Sequence, residues 1–301
     1  MTIQELVAIG AKTTMRIGGQ ARFFVELLTK EDVEAAWKFA QEKSLPLIVL
    51  GGGSNTIFAD GIIEALVVRI KADAVSTEGN RVTVSAGKIL ASLLNELAEK
   101  NLDLSPLTGI PGTVGGALFG NAGQGPKGIW LDSFVESVTL YDGKEWKTLS
   151  REECDFRYRE STFKDMTSTN SPFSILHSPF PPILWSAVLT VPTKSGTEVK
   201  AEIERLIKKR IETQPHIKTA GSCFKALPDG TPAWKLIEAA GLRGLKVGGV
   251  QVSEKHANFL LNVERGTFTD TLEITRRIQE AVPQIAGVEM RFYDQKGQIA
   301  Q

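Results

Sequence analysis

The stretch Gly109-Ile-Pro-Gly-Thr-Val-Gly-Gly-Ala-Leu-Phe-Gly-Asn-Ala-Gly123 restricts the fold more than any other part of the chain. Such dense glycine indicates backbone with positive φ, or backbone pressed against a neighbour. The polar residues between the glycines, Thr113 and Asn121, carry no charge. Free N–H groups and missing side chains suit a polyanion or a flat ring. The stretch therefore favours a ligand-binding surface over the alternative, a tight glycine corner in a sheet without a ligand.

A second glycine cluster follows a short apolar run at 46–50. This run predicts a buried strand, and it leads directly into the sequence Gly51-Gly-Gly-Ser-Asn55. A strand that ends in such a turn is a common place for a phosphate. The G-x-G-x-x-G fingerprint fails because position 56 is Thr56, and no P-loop pattern occurs in the chain. Both glycine loops are thus predicted to bind a phosphate-bearing ligand, by neither the Rossmann nor the P-loop route.

Composition narrows the class of protein. The 301 residues include 35 basic and 35 acidic ones, so the formal net charge is zero and nucleic-acid binding is disfavoured. The N-terminus has no signal-peptide pattern, and no apolar run approaches the roughly 20 residues of a membrane helix. Only Cys154 and Cys223 are present, which indicates a reducing compartment. We expect a cytoplasmic protein without a membrane segment, a nucleic-acid partner or an obligatory protein partner. His177, His216 and His256 lack metal-ligand spacing, so we expect no catalytic metal.

Hydrophobic periodicity predicts two units in an α+β chain. Residues 1–193 form one ligand-binding unit of two α/β lobes, about 1–71 and 72–193, with one glycine loop in each. Residues 194–301 form a separate α+β domain. The predicted elements of the first unit are strands 22–28, 46–50, 63–70, 82–86 and 182–191, helices 30–44 and 89–100, and a hairpin of 135–140 with 146–149. Those of the second unit are helices 198–212, 232–240 and 268–282 and strands 247–252, 258–263 and 288–293.

Three places outside the glycine loops hold polar residues that packing does not require. In the segment 156–164, Arg157 or Arg159 could clamp a carboxylate, although a solvated basic loop is the alternative. In Gly221-Ser-Cys-Phe-Lys225, Ser222 follows a glycine-led turn beside Lys225, and Cys223 is expected to be a small buried hydrophobe. Glu289 falls in the predicted strand 288–293, on the same face as residues 291 and 293. It points either inward or to solvent.

Eight ordered blocks, spread over the whole chain, resemble the UDP-N-acetylenolpyruvoylglucosamine reductase (MurB) family. They are Thr-Thr-Met-Arg-Ile-Gly-Gly-Gln-Ala at 13–21, Leu-Gly-Gly-Gly-Ser-Asn at 50–55, Gly-Ile-Pro-Gly-Thr-Val-Gly-Gly-Ala at 109–117, Tyr-Arg-Glu-Ser at 158–161, Ala-Gly-Ser-Cys-Phe-Lys at 220–225, Ile-Glu-Ala-Ala-Gly-Leu-Arg-Gly at 237–244, Gly-Gly-Val-Gln-Val-Ser-Glu-Lys-His-Ala-Asn-Phe at 248–259 and Val-Glu-Met-Arg-Phe at 288–292.

The resemblance implies FAD, held in a two-lobed domain of the vanillyl-alcohol-oxidase (PCMH) type, and a C-terminal domain for the UDP-sugar. It also implies an NADPH-dependent oxidoreductase of peptidoglycan precursor synthesis that reduces UDP-N-acetylglucosamine enolpyruvate to UDP-N-acetylmuramate. By motif, Arg159 binds the carboxylate and stabilises the enolate, Ser222 donates the proton, Glu289 assists, and Lys225 helps to bind substrate. The residues expected to hold the cofactor are Gly51, Gly52, Gly53, Ser54, Asn55, Gly109, Gly112, Thr113, Gly115, Gly116 and Asn121.

The chain departs from the family pattern at two places. Ala226 stands where the family has a substrate-binding asparagine, and the sequence Gln124-Gly-Pro-Lys127 replaces Ala-Tyr-Gly. The length indicates the shorter family form, without the tyrosine-bearing insertion. Ala226 keeps open a flavin-dependent oxidoreductase of the same fold with another substrate, such as an oxidase. A non-catalytic flavin- or nucleotide-binding module is a third possibility.

Overall fold

The computed structural model describes residues 1–125, 128–166, 180–285 and 287–300. His177 therefore lies outside the described residues, as does Lys127 of the departure at 124–127. None of the helices within these ranges is long and apolar enough to cross a lipid bilayer.

The first lobe is a mostly parallel sheet covered by one helix. Its elements are β1 (Gln4–Ala8), β2 (Gln20–Leu27), α1 (Lys30–Glu42), β3 (Leu47–Val49), β4 (Thr56–Phe58) and β5 (Ile62–Ile70). The sheet has the order β1-β2-β5-β3, with β5 parallel to both of its neighbours. This position between β2 and β3 accounts for the apolar run of β5. A capping box between Thr29 and Asp32 starts α1.

The second lobe is an antiparallel sheet of five strands together with three helices. Its elements are β6 (Val75–Glu78), β7 (Arg81–Ser85), α2 (Leu90–Glu99), α3 (Val114–Phe119), β8 (Val135–Tyr141), β9 (Trp146–Ser150), α4 (Thr162–Asp165) and β10 (Ile183–Thr190). The strand order is β6-β7-β10-β8-β9. Leu90, Leu93 and Leu97 of α2 are buried in the core that this lobe shares with α1, whereas Ile89, the residue before α2, is 48% exposed.

The C-terminal part contains a four-stranded antiparallel sheet. Its elements are α5 (Gly196–Thr213), β11 (Thr219–Ser222), α6 (Ala233–Ala239), β12 (Lys246–Val247), β13 (Val250–Val252), β14 (Phe259–Asn262), α7 (Phe268–Ala281), β15 (Arg291–Tyr293) and β16 (Ile299–Ala300). The predicted strand 247–252 is wrong in one respect, because positive φ at Gly248 divides it into β12 and β13. The predicted final strand also begins later, at Arg291, so Glu289 precedes it.

Several contacts cross the predicted boundary between residues 193 and 194. Helix α5 packs against α2, and its buried Val199 and Ile203 belong to the core of the second lobe. At the other end of the chain, β15 pairs in parallel with β4 of the first lobe. The division into 1–193 and 194–301 stays a prediction, and these contacts tie its two sides together.

Candidate active site

A cavity of about 450 Å³ lies where the two glycine loops meet the C-terminal sheet. The loops touch each other, since a Cβ built on Gly52 would lie 2.5 Å from Gly112 Cα. The Ser54 hydroxyl also donates a hydrogen bond to the Pro111 carbonyl (3.2 Å). The Asn55 amide donates to the Ala220 carbonyl (3.2 Å) and so joins the first loop to β11. One continuous wall is therefore built from three distant segments of sequence.

The glycines of this wall serve two purposes. A Cβ on Gly53 would lie 2.5 Å from the Lys12 carbonyl oxygen, and one on Gly115 would lie 2.9 Å from Ala86 Cβ, so these two positions are glycine because of packing. Gly116 and Gly120 also line the cavity. A Cβ built on Gly116 would come no closer than 3.6 Å to a neighbouring atom, and one built on Gly120 no closer than 3.9 Å. Protein packing leaves room for a side chain at both positions, so the open space belongs to the cavity.

Most of the residues expected to hold the cofactor line this cavity; they are Gly51, Gly52, Gly53, Ser54, Asn55, Gly112, Thr113, Gly115 and Gly116. Gly109 and Asn121 are not part of its lining. Gly109, at φ +82°, makes room for the side chain of Arg210. Asn121 is buried, donates to the Arg157 carbonyl (3.1 Å) and accepts from the Asp132 N–H (3.2 Å). Its amide positions the neighbouring turn.

That turn separates the two candidate arginines. Arg157 is 46% exposed and forms ion pairs with Asp155 (3.4 Å) and Asp165. Arg159 is only 18% exposed and lines the cavity. The solvated-loop alternative therefore fits Arg157 and does not fit Arg159.

Glu289 points into the cavity and faces Arg159, with 3.5 Å between Glu289 Oε1 and Arg159 Nε. Burial raises the pKa of Glu289, although the charges of Arg159, Lys164 and Lys225 oppose this rise. Its backbone N–H donates to the Cys223 carbonyl (2.8 Å), so Glu289 lies next to the Ser222 segment. The predicted alternation of faces holds here, because Met290 and Phe292 are buried in the C-terminal core.

Ser222 ends β11, directly after Gly221 at φ +76°, and lines the same cavity as Arg159 and Glu289. The next residue, Cys223, is fully buried, and burial raises its pKa to about 12. Cys223 is therefore the small buried hydrophobe that was expected. The structure brings together three candidate catalytic residues from three separate segments.

Lys225 does not line the cavity; its ammonium group pairs with Glu160 instead. Sequence reasoning missed several polar lining residues, among them Lys164, Arg210, Gln214 and Arg291. Arg291 could have been identified, because it lies two positions after Glu289 in an extended segment. Arg210 carries no such signal, since α5 brings it to the cavity from far along the chain.

A second cavity of about 600 Å³ shares Pro111, Arg210, Gln214 and Gly221 with the first. Arg16, Arg210 and Lys218 line it, and none of them has a carboxylate partner within 4 Å among the described residues. Burial lowers the pKa of Arg210. Three cations without acid partners make this cavity suitable for an anion. Within the ranges that the structure covers, no group of three His, Cys, Asp or Glu side chains could hold a metal ion.

Comparisons with known proteins agree with this architecture. A family model described as "UDP-N-acetylenolpyruvoylglucosamine reductase, C-terminal domain" matches residues 213–292, and one described as "FAD binding domain" matches residues 21–145. UDP-N-acetylenolpyruvoylglucosamine reductases from Moorella thermoacetica and Geobacter metallireducens are each 36% identical to this chain. Those alignments cover 93% and 92% of the chain and 88% of each relative.

Among solved structures, the crystal structure of UDP-N-acetylenolpyruvylglucosamine reductase (MurB) from Thermus caldophilus is 29% identical. It superposes with a TM-score of 0.80, over 97% of this chain and 99% of that one. The predicted fold class, a two-lobed FAD-binding domain of the vanillyl-alcohol-oxidase type with a C-terminal α+β part, is confirmed. The chain belongs to the UDP-N-acetylenolpyruvoylglucosamine reductase family.

Proposed function

We propose that this protein is an FAD- and NADPH-dependent reductase that converts UDP-N-acetylglucosamine enolpyruvate to UDP-N-acetylmuramate in peptidoglycan precursor synthesis. The observation that carries the proposal is the convergence of Arg159, Ser222 and Glu289 on one cavity beside glycines open to a ligand. FAD held in this cavity would supply the redox chemistry, the transfer of hydride from NADPH to the methylene carbon of the enolpyruvyl group. We place the reaction in the cytoplasm and propose that it needs no obligatory protein partner.

The cavity wall fits FAD. Protein packing does not require glycine at Gly116 or Gly120. A flat ring lying against this wall would require it, because a side chain at either position would occupy the space of the ring. Thr113 caps α3 by accepting a hydrogen bond from the Gly116 N–H (3.3 Å), which fixes the wall at this point. Gly51, Gly52, Gly53 and Gly112 continue the lining. We assign the cofactor to this wall.

We assign binding of the substrate carboxylate to Arg159. Its Nε is buried and makes no hydrogen bond within the described part of the chain, and Glu289 Oε1 lies 3.5 Å away. An unsatisfied buried donor is unfavourable, and a carboxylate would satisfy it with a strong charge-assisted hydrogen bond. The same guanidinium would stabilise the negative charge that develops next to the carboxylate during reduction.

Ser222 is our candidate for the proton donor, and Glu289 for its assistant. An unperturbed hydroxyl is a weak acid, so the surrounding charge matters. Among the described residues of the cavity lining, Arg159, Lys164, Arg210 and Arg291 are cations and Glu289 is the one carboxylate. This excess of positive charge stabilises a serine alkoxide, which makes Ser222 a better acid.

We propose that the second cavity holds the diphosphate of the UDP-sugar. Arg16, Arg210 and Lys218 supply positive charge there without acid partners among the described residues. The cavity adjoins the first one at Gly221, the residue before Ser222. Ala226 has no side-chain amide, and the ammonium group of Lys225 pairs with Glu160, so we assign the diphosphate to the second cavity rather than to these two residues.

The test follows the flavin under anaerobic conditions. Bound flavin is reduced with NADPH, UDP-N-acetylglucosamine enolpyruvate is added, and the absorbance of oxidised flavin is recorded. We expect prompt return of that absorbance, with one saturated product for each flavin. Reduction by NADPH without return would leave a flavoenzyme with another substrate, and rapid peroxide formation in air would indicate an oxidase. Failure of NADPH to reduce the flavin would favour the non-catalytic module.

A further inference from the structure

Arg159 lies at the tip of a tight turn that is closed by its neighbours. The Arg157 N–H donates to the Glu160 carbonyl (3.0 Å), and the Glu160 N–H donates to the Arg157 carbonyl (3.1 Å). Tyr158 and Arg159 form the tip, and Arg159 has a φ of +59°. This left-handed conformation is uncommon for a residue with a side chain and persists where surrounding contacts enforce it.

One of these contacts comes from the adjacent helix α4. The Lys164 ammonium group donates to the Arg159 carbonyl (3.0 Å) and lies 3.3 Å from Glu160 Oε1. The side chains of Lys164 and Glu160 are 25% and 28% exposed, so the pair is largely shielded from water. Glu160 therefore holds the ammonium group that in turn holds the backbone of Arg159.

Glu160 has a second partner on the C-terminal side of the cavity. Its Oε1 also pairs with Lys225, three residues after Ser222. The Lys225 N–H donates to the Gly287 carbonyl (2.8 Å), two residues before Glu289. Next to Lys225, the Ala226 N–H donates to the Tyr158 hydroxyl (3.2 Å). A single carboxylate thus connects the turn that carries Arg159 to the segments that carry Ser222 and Glu289.

We propose that Glu160 is a positioning residue: held between Lys164 and Lys225, its carboxylate fixes the Arg159 turn against the Ser222 segment and so sets the geometry of sugar reduction. This inference rests on the function proposed above for Arg159 and Ser222. Glu160 acts through its two lysines, and Arg159 is the residue that contacts the substrate. The role predicts an effect on the sugar half-reaction, and none on reduction of the flavin by NADPH.

The charges around Lys164 give the proposal a pH signature. Burial lowers the pKa of Lys164, and the charges of Lys225 and Arg291 lower it further, while Glu160 raises it. Glu289 also faces this group across the cavity. Removal of the Glu160 charge will therefore lower the pKa of Lys164, and the ammonium group that holds the Arg159 carbonyl will be lost at a lower pH. In a profile of rate against pH, the fall in the rate of the sugar half-reaction on the alkaline side should therefore begin at a lower pH.

The experiment compares the FAD-bound wild-type enzyme with Glu160→Gln, Glu160→Asp and Arg157→Gln in anaerobic rapid mixing. For Glu160→Gln we expect flavin reduction by NADPH to change by less than about twofold. We expect flavin reoxidation by the UDP-sugar to slow by about tenfold or more, the factor that corresponds to 1.36 kcal/mol. Glu160→Asp should recover part of that rate. Arg157→Gln, on the outer face of the same turn, should match the wild type in both half-reactions.

Thermal unfolding and the flavin spectrum of each variant identify a general loss of structure. Equal slowing of both half-reactions by Glu160→Gln would overturn the proposal, as would an unshifted fall in rate on the alkaline side or an unchanged sugar half-reaction. If the wild-type flavin is reduced but never reoxidised by the UDP-sugar, the proposed function fails and this inference fails with it. A failure confined to the Glu160 variants affects the inference alone.

Discussion

Gly116 and Gly52 are both glycines of the cavity wall, but only Gly116 faces open space. A methyl group at Gly116 would project into the proposed FAD site, so Gly116→Ala should weaken FAD binding by about tenfold, or 1.4 kcal/mol. It should not lower the stability of the apoprotein, because Gly116 lies inside α3, where alanine is a better helix former than glycine. Gly52→Ala is the matched control, because its Cβ would lie 2.5 Å from Gly112 Cα. That overlap should lower the free energy of unfolding by about 1–3 kcal/mol.

Titration of apoprotein with FAD and urea unfolding of the apoprotein measure these two effects. The assignment of the wall to FAD fails if Gly116→Ala binds FAD as the wild type does. It also fails if both variants lose stability equally, because packing would then explain both glycines.

Ser222 supplies the next prediction at the scale of one residue. If its hydroxyl is the general acid, Ser222→Ala should slow flavin reoxidation by the UDP-sugar by about 10²–10⁴-fold. Reduction by NADPH should remain, since it needs no proton from this side chain. Ser222→Cys keeps a proton donor and should retain part of the rate. Rapid mixing in H₂O and in D₂O gives the measurement, and unchanged reoxidation in Ser222→Ala would remove the residue from the mechanism.

Single residues of the site could be predicted only where a local pattern marks them. Ser222 follows a glycine-led turn, and Glu289 stands between Val288 and Met290, so each is conspicuous in the sequence. Without the family resemblance, Arg157 and Arg159 could not be distinguished, because they differ in the direction in which a turn points each side chain. Arg210 could not be found at all, since its place beside Gly109 depends on how α5 packs on the second lobe.

At the scale of elements, α5 gives a test of how the chain divides. Ile203 is 4% exposed in the core of the second lobe, whereas Ile207, one turn later, is 42% exposed. Ile203→Ala should lower the free energy of unfolding by about 2–5 kcal/mol. Ile207→Ala should change it by less than about 0.5 kcal/mol. Urea unfolding measures both, and similar small values would mean that α5 does not stabilise the second lobe.

The elements that could be predicted from the sequence are those whose hydrophobic pattern is long. Helices α1, α2 and α7 and strand β5 carry long hydrophobic patterns that are decided locally, and they lie close to their expected positions. Short elements such as β12 and β15 are fixed by their partners. Strand β15 exists as a pair with β4, more than 230 residues earlier in the sequence. The local sequence around β15 does not indicate a partner strand so far away along the chain.

At the scale of the whole molecule, a formal net charge of zero conceals an uneven distribution of charge. Glu289 and Glu160 are two carboxylates near the same cavity, and their environments act in opposite directions. Burial raises the pKa of Glu289. Burial alone would also raise the pKa of Glu160, but the hydrogen bond from Lys225 and the charges of both lysines outweigh it and lower that pKa. The fold therefore disfavours the negative charge of Glu289 and favours that of Glu160.

Because the two pKa values shift in opposite directions, replacing the glutamate by glutamine should have opposite effects on the free energy of unfolding at positions 289 and 160. A raised pKa means that ionised Glu289 destabilises the folded state at neutral pH, so Glu289→Gln should raise the free energy of unfolding of the apoprotein. A lowered pKa means that Glu160 stabilises the fold above its ordinary pKa of about 4.3, so Glu160→Gln should lower that free energy. The Glu289 difference should shrink as the pH falls from neutral towards about 4.3, because its raised pKa lets the folded state take up the proton first. The Glu160 difference should shrink only as the pH falls below about 4.3, through its lowered pKa. Urea unfolding of the two variants and the wild type at pH 7 and in acid measures these differences. Changes of the same sign in the free energy of unfolding at pH 7 would contradict this account of the site.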